Sequence, residues 1–374
     1  MPLREPVLGR SDPKLTLDTL CRFVPPVDSV SFPIVFMKTT THSKLTPERL
    51  MQLSWGYAPP LIIEAAVKHQ FFDLLDSSPK TAPQLAKEAR VSMRGATAIC
   101  NALVGLRLLG RQGERYTLAP ESAAFLVSHK PGYHGAFFRH VSTQLIPNWL
   151  ALEKTVRTGK PAATVNSEKK GAKFFAEFVE AIFPLSYSAA KALGEHLRIP
   201  AAKKPVSVLD LAAGSGVWGI ALAEQSPKVQ ITAVDWPPVL AVTQKIARRH
   251  GVGKRLTVIP GDLLKAPFGK NHQVATLGHI LHSEGVDRSR KLLKKTFAAL
   301  APGGTIAIME FLVNHDRTEP VIGLLFAVNM LLNTQEGDTF SFEEISVWLR
   351  EAGFVKPRLL QVPAVSPLVL ATKP

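Results

Sequence analysis

The sequence predicts an α/β protein whose C-terminal half is a mainly parallel, doubly wound Rossmann-like sheet, preceded by an α-helical, winged-helix-like domain. Three observations lead there. After Pro205 short β-rich runs alternate with helical segments, one such run enters a glycine turn that opens a helix, and the chain upstream reads as three helices closed by a small hairpin.

The upstream elements follow from spacing and caps. From Pro60 to Leu75 the apolar residues Leu61, Ile62, Ala65, Ala66, Phe72 and Leu75 fall at helical intervals, and Ser77-Ser78-Pro79 ends that helix. Thr81 followed by Gln84 reads as a capping box for a short helix carrying Leu85, Ala86 and Ala89. Ser92 caps a third helix running through Leu109, with Gly110 as its stop. Arg111 to Leu118 then forms a hairpin with Gln112-Gly113 near its tip and Tyr116 and Leu118 on one side. Residues 45–135 are thus expected to make one domain, and the apolar Leu61–Leu75 helix predicts that two copies pair through it as a homodimer. Residues 136–200 look helical again and carry Phe137, Phe138, Trp149, Phe174, Phe175, Phe178 and Phe183. That series suits a helical core, a dimer interface or an aromatic wall for a planar small molecule. Residues 1–44 read as a poorly ordered extension, with Met37 as an alternative start.

Residues 201–374 carry the α/β pattern. Strands are expected at Val206–Leu211, Gln230–Val234, Leu256–Ile259, Val274–Leu281 and Thr305–Phe311, with helices at Gly216–Glu224, Val239–His250 and Asp287–Leu300.

Composition removes several classes of function. Two cysteines, Cys21 and Cys100, offer neither a disulfide framework nor a structural metal site, which fits a reducing cytoplasm. Apolar stretches such as Leu61–Val67 and Val321–Leu332 fall short of the ~20 residues of a membrane span, and the first 36 residues lack the continuous apolar run of a secretory signal. The formal charge of +15 is spread along the chain rather than concentrated. A DNA-reading winged helix needs basic side chains on its third helix, and between Ser92 and Leu109 only Arg94 and Arg107 qualify, so no nucleic-acid partner is expected.

Chemistry concentrates at the glycine turn. Val208-Leu209-Asp210-Leu211-Ala212-Ala213-Gly214-Ser215-Gly216 runs from a buried strand into a loop where Gly214 and Gly216 let a ligand lie against the backbone. Gly214 to Gly219 also spells the dinucleotide fingerprint, with Asp235 as its ribose partner. A pyrophosphate is disfavoured beside a carboxylate, however, and Asp210 suits a ligand with ammonium and sulfonium centres better. The stretch resembles motif I of class I methyltransferases. Val234-Asp235-Trp236-Pro237 looks like their second motif, whose acid binds ribose hydroxyls, and Pro260-Gly261-Asp262-Leu263 like the adenine-contacting segment. The resemblance implies S-adenosyl-L-methionine as cofactor, with Asp210, Gly214, Gly216, Asp235, Trp236, Asp262 and Leu263 around it, and no metal.

His279-Ile280-Leu281-His282, Ile306-Ala307-Ile308-Met309-Glu310 and the closing Glu351-Ala352-Gly353-Phe354 are similar to the plant caffeate-type and bacterial polyketide-type O-methyltransferases. The similarity spans roughly residues 45 to 374, including Trp149 and Arg157-Thr158-Gly159-Lys160-Pro161. It implies an N-terminal dimerisation domain, His282 as catalytic base and Glu310 as the carboxylate that orients it, acting on a small-molecule hydroxyl. His279 is left as core or as support for His282. Trp149, Phe178, Phe326, Asn329 and Met330 are the expected acceptor-pocket residues. Three positions depart from the pattern. Ser283-Glu284 stands where many relatives have Asp-Trp, which removes an aromatic contact to adenine that Trp236 would have to supply; Gly278 replaces a lysine of the plant members; and Thr339 lies near an expected second glutamate. Two other functions remain open at this level: methyl transfer to carbon on a planar tetrapyrrole, and a non-enzymatic ligand-sensing DNA reader.

Overall fold

The structure, a computed structural model, describes residues 45–165 and 168–374. The extension expected at 1–44, with Met37, lies outside the described residues. The chain divides into two compact units, Met1–Ser54 and Trp55–Pro374. The first contains the helix Glu48–Ser54.

The second unit opens with the helices Ala58–Lys68, Phe71–Ser77, Ala82–Glu88 and Met93–Gly105. Strands β1 (Lys80–Thr81), β2 (Leu109–Gln112) and β3 (Arg115–Leu118) form an antiparallel sheet in the order β1-β3-β2. The capping box exists: the Thr81 backbone N–H donates to Gln84 Oε1 at 2.9 Å. Ser92 Oγ accepts from the Gly95 N–H at 3.0 Å, satisfying a donor that the first turn leaves unpaired. Two boundaries differ from the sequence reading. The expected Pro60–Leu75 helix is broken where Gln70 takes a left-handed φ of 59°. The helix after Ser92 ends at Gly105, and Gly110 is no stop but a β2 residue paired with Thr117, where a Cβ would meet Thr117 Oγ1 at 2.7 Å. Phe72 and Leu75, expected to help form a dimer face, are buried in this domain's own core with Phe71, Leu85, Leu103 and Tyr116.

The seven-stranded sheet comprises β4 (Val206–Leu211), β5 (Val229–Asp235), β6 (Leu256–Pro260), β7 (His272–Gly278), β8 (Leu300–Met309), β9 (Val355–Leu360) and β10 (Leu368–Thr372). Its order is β6-β5-β4-β7-β8-β10-β9, with β4 to β8 parallel and β9 and β10 antiparallel at one edge. Alternate residues feed two cores: Val208 and Ile231 pack on one face, Leu209, Leu211 and Leu277 on the other. Full burial of each such aliphatic side chain contributes ~1.5–3 kcal/mol, so a sheet covered on both faces is the stable arrangement. The expected strand Val274–Leu281 stops at Gly278, because His279 turns the chain with a φ of 59° and Leu281 begins the helix Leu281–Ala299.

A 29-residue helix, Glu168–His196, joins the two sheets. Ala189, Ala190 and Leu193 place its last turns in the core beside β4. Polar links hold it to the next two helices: Tyr187 donates to Glu224 at 2.6 Å, and Glu180 accepts from Lys245 and Arg249 at 3.1 and 2.9 Å. No described helix is long and apolar enough to cross a membrane.

Candidate active site

The sheet order reverses between β4 and β7, and such switch points open a crevice at the carboxyl ends of the strands. The β4 loop enters it through three left-handed residues, Ala212, Gly214 and Gly216, at φ 50°, 56° and 77°. A Cβ at Gly216 would strike Thr243 at 2.7 Å, so that glycine is required for packing as well as for conformation. Above Gly214 lies Val179 of the long helix.

Asp210 does not face the crevice. It is fully buried, with Oδ1 accepting from Thr276 Oγ1 at 2.7 Å and Oδ2 from the Gly219 N–H at 3.1 Å. It therefore braces β4, β7 and the Val217–Gln225 helix, rather than meeting a ligand's ammonium as its position suggested. Burial pushes its carboxyl up to about 7 against the pull of those two hydrogen bonds.

Asp235, at the end of β5, is the acid that meets the loop. Its Oδ2 accepts from the Gly214 N–H at 2.8 Å and its Oδ1 from the Trp236 N–H at 2.7 Å, while burial raises its pKa to about 6. Each oxygen keeps a further lone pair, enough for two vicinal hydroxyls. Trp236 packs towards the long helix, 6.0 Å from the Phe175 ring and over Gly171, where a Cβ would meet the indole at 2.8 Å. The Leu263 side chain packs with the core at 8% exposure, and its carbonyl accepts from Lys295 Nζ at 2.8 Å. Asp262, beyond β6, accepts from the Leu264 N–H and from Arg288 Nη2, both at 2.9 Å. Although burial opposes it, the Arg288 guanidinium holds the Asp262 carboxyl below its usual range.

Across the switch point, His282 and Glu310 form a buried pair, His282 Nδ1 lying 2.7 Å from Glu310 Oε2. Glu310 Oε1 accepts from the Leu281 N–H at 2.7 Å. Burial alone would raise the Glu310 carboxyl, but the charge and hydrogen bond of His282 hold it below the ordinary range. His279 stacks near Phe311 at 4.8 Å, with its Nδ1 buried and unpartnered; burial lowers its pKa to about 4, which keeps the ring neutral. His279, His282 and Glu310 offer ligating atoms within 4.8 Å of one another, yet a cation would have to break the His282–Glu310 hydrogen bond to join them. Gly278 has a visible cause: the Trp218 indole fills the space beside it, and a Cβ there would lie 2.1 Å from Nε1. No lysine fits that place. Thr339 holds its hydroxyl buried and without a partner, so Glu310 is the carboxylate that meets His282.

Phe326 stands edge-on to His282 at 4.9 Å and stacks on Phe311 at 4.0 Å. One turn further along, Asn329 Oδ1 accepts from Trp149 Nε1 at 3.2 Å and from Asn333 Nδ2 at 3.1 Å, and Asn148 bonds Asn333 at 2.6 Å. Met330, one turn beyond Phe326 on the same helix, is buried at 5% exposure. Phe178 stacks on His140 at 4.3 Å beside a cleft of about 410 Å³ lined by Thr143, Gln144, Asn148, Val165 and Phe174. Sequence reasoning missed Phe311, His140 and Arg288, none of which carries a local motif, and Trp218, which fills an unspecified position of the glycine fingerprint. Only the turn of π-helix at Val141–Leu145, visible once the backbone is known, marks the His140 region as unusual.

Known proteins resemble this chain in sequence and fold. The family profile of the O-methyltransferase domain matches residues 168–355, and that of the O-methyltransferase dimerisation domain matches residues 51–128. The chain is 29% identical to the 3-hydroxy-5-methyl-1-naphthoate 3-O-methyltransferase of Streptomyces sahachiroi, over 84% of this chain and 91% of that one. It is 28% identical to the tetracenomycin polyketide synthesis 8-O-methyl transferase of Streptomyces glaucescens, over 88% and 97%. A solved structure described as a candidate O-methyltransferase of Nostoc punctiforme superposes with a TM-score of 0.80 at 28% identity, covering 88% of this chain and all of that one. The human N-acetylserotonin methyltransferase, solved in complex with S-adenosylmethionine, shares the fold at a TM-score of 0.74 and 23% identity, over 89% and 99%. A glycine loop under Asp235, a histidine–carboxylate pair across the switch point and both matching profiles together mean that the chain belongs to the O-methyltransferase family, as an S-adenosylmethionine-dependent O-methyltransferase with its dimerisation domain.

Proposed function

We propose that this enzyme methylates a hydroxyl of a hydrophobic aromatic or polyketide-like small molecule, with His282 as general base and Glu310 as its orienting partner. The observation that carries the reading is the buried His282 Nδ1–Glu310 Oε2 contact of 2.7 Å. An ionised Glu310 makes Nδ1 the protonated nitrogen, which leaves Nε2 with its lone pair for the acceptor's proton. Bound S-adenosylmethionine supplies an electrophilic methyl group on a sulfonium centre. A phenol with a pKa near ~10 is a weak nucleophile at neutral pH, so removing its proton as it attacks is worth roughly 10² to 10⁴ in rate. Glu310 then stabilises the imidazolium. Phe311 and Phe326 keep water from the histidine, and Asn329, whose Oδ1 is taken by Trp149 and Asn333, has its Nδ2 to offer an acceptor oxygen. Asp235 and the glycine loop would hold the donor's ribose.

The naphthoate and tetracenomycin acceptors of the two Streptomyces relatives support an aromatic polyketide class. The matched dimerisation domain supports a homodimer. The buried free thiol of Cys100 suits a cytoplasmic location. The DNA-reading alternative has little behind it, since the Met93–Gly105 helix buries Ala96, Cys100 and Leu103 and carries Arg94 as its one basic residue. Isotope-labelled donor incubated with a panel of hydroxylated naphthoates, anthraquinones and flavonoids should yield a methyl ether, identified by mass and carbon shift. A methyl group found on carbon would overturn the reading.

A further inference from the structure

We propose that Arg288 is the residue on which the adenine of the donor lies, its guanidinium plane serving where an aromatic side chain would otherwise stack. The inference concerns the donor and stands apart from the choice of acceptor. Sheet order carries its first part. In β6-β5-β4-β7, Asp262 follows β6 while Glu284 and Arg288 follow β7, so the 2.9 Å contact between Arg288 Nη2 and Asp262 Oδ2 reaches across the ends of β5 and β4. Those two ends carry Asp235 and the glycine loop. A nucleoside whose ribose is held at Asp235 must therefore place its base beside that bridge.

The second part is the fixed orientation of the plane. Arg288 Nε donates to Glu284 Oε2 at 2.6 Å and Nη2 donates to Asp262, so both ends of the fork are held. Glu284 is almost fully buried, and a buried carboxylate that lost its partner would be costly, which makes the guanidinium's position strongly enforced. The Arg288 side chain nevertheless remains 38% exposed, leaving area for a ligand. Guanidinium planes stack on aromatic faces, nucleobases included, whereas an ammonium in the same place gives charge without a face. Trp236, the other planar candidate, is turned to Phe175 and the long helix.

Calorimetric binding of S-adenosylhomocysteine and of adenosine to the full-length protein tests this, with melting temperature and acceptor KM measured alongside. Arg288→Lys keeps a cation between the two carboxylates but removes the plane. It should bind both ligands about tenfold more weakly while melting near the wild type and leaving acceptor KM unchanged. Arg288→Ala should lose at least as much affinity; if it does not fold, the lysine variant decides. Wild-type affinity in Arg288→Lys would reduce the residue to an ion bridge and overturn the proposal. So would a loss for S-adenosylhomocysteine with none for adenosine, since the defect would then lie away from the base.

Discussion

Glu310 uses its two oxygens for two purposes, and this couples the base to the fold. Oε1 accepts the N–H of Leu281, where the helix starts, and Oε2 holds Nδ1 of His282. His282→Ala removes only the proton acceptor, so turnover should fall roughly 10²- to 10⁴-fold while calorimetric affinity for S-adenosylhomocysteine stays within about twofold. Glu310→Gln should cost less in rate but also lower the melting temperature, because an amide turned to satisfy one partner presents its NH2 to the other. Asp235 gives the pH dependence. Its carboxyl is raised by burial to about 6 without ligand, and ribose hydroxyls that donate to it favour the ionised form. Donor affinity should accordingly rise with pH up to about 6 and then level, falling about tenfold per unit on the acid side. Titrations between pH 5 and 8 check this, and Asp235→Asn should bind weakly with no such slope. A wild-type affinity that is flat through this range would remove Asp235 from the ribose site.

Gly278 and Trp218 show how elements fix each other's side chains. The end of β7 lies so close to the Val217–Gln225 helix that a single added carbon at 278 meets the indole at 2.1 Å. Gly278→Ala should therefore destabilise by about 1–3 kcal/mol in urea unfolding, and Trp218→Leu in the same chain should recover part of that loss. Additive effects would mean that the two do not share the space. This constraint is invisible along the sequence because the partners lie sixty residues apart. The inner strands β4, β5 and β7 and the second half of β8 were legible for the opposite reason: covered on both faces, they are written as largely apolar runs. β9 escaped notice because Val355-Lys356-Pro357-Arg358 is largely exposed at an edge and reads as a loop. Gly214, Asp235, His282 and Glu310 could be singled out because each follows or ends a readable strand. Asp210 was also found, but its inward orientation was not, since a motif gives position along the chain and not the direction of a carboxylate.

At the scale of the molecule, Trp55 and Tyr57 are exposed at 62% and 57% and stack on each other at 6.1 Å. Large aromatic surface of this kind within the matched dimerisation domain is what a second copy would cover. Replacing both by serine should shift sedimentation from dimer towards monomer at micromolar protein; a wild type that already sediments as a monomer would contradict the pairing. The long helix Glu168–His196 has a consequence of another kind. Val179 lies over the donor loop at Gly214, while its neighbour Phe178 joins the stacked rings beside the open cleft. A donor on that loop and an acceptor in that cleft would thus share one helix, whose hydrogen-bond ladder is interrupted at Pro184 and whose far end is locked into the core by Ala189, Ala190 and Leu193. Traffic through the enzyme should then be sequential: the methyl donor loads first, the acceptor closes the door behind it, and the spent nucleoside is the last to leave. Steady-state product inhibition would reveal that queue, with S-adenosylhomocysteine competing against the donor but not against the acceptor.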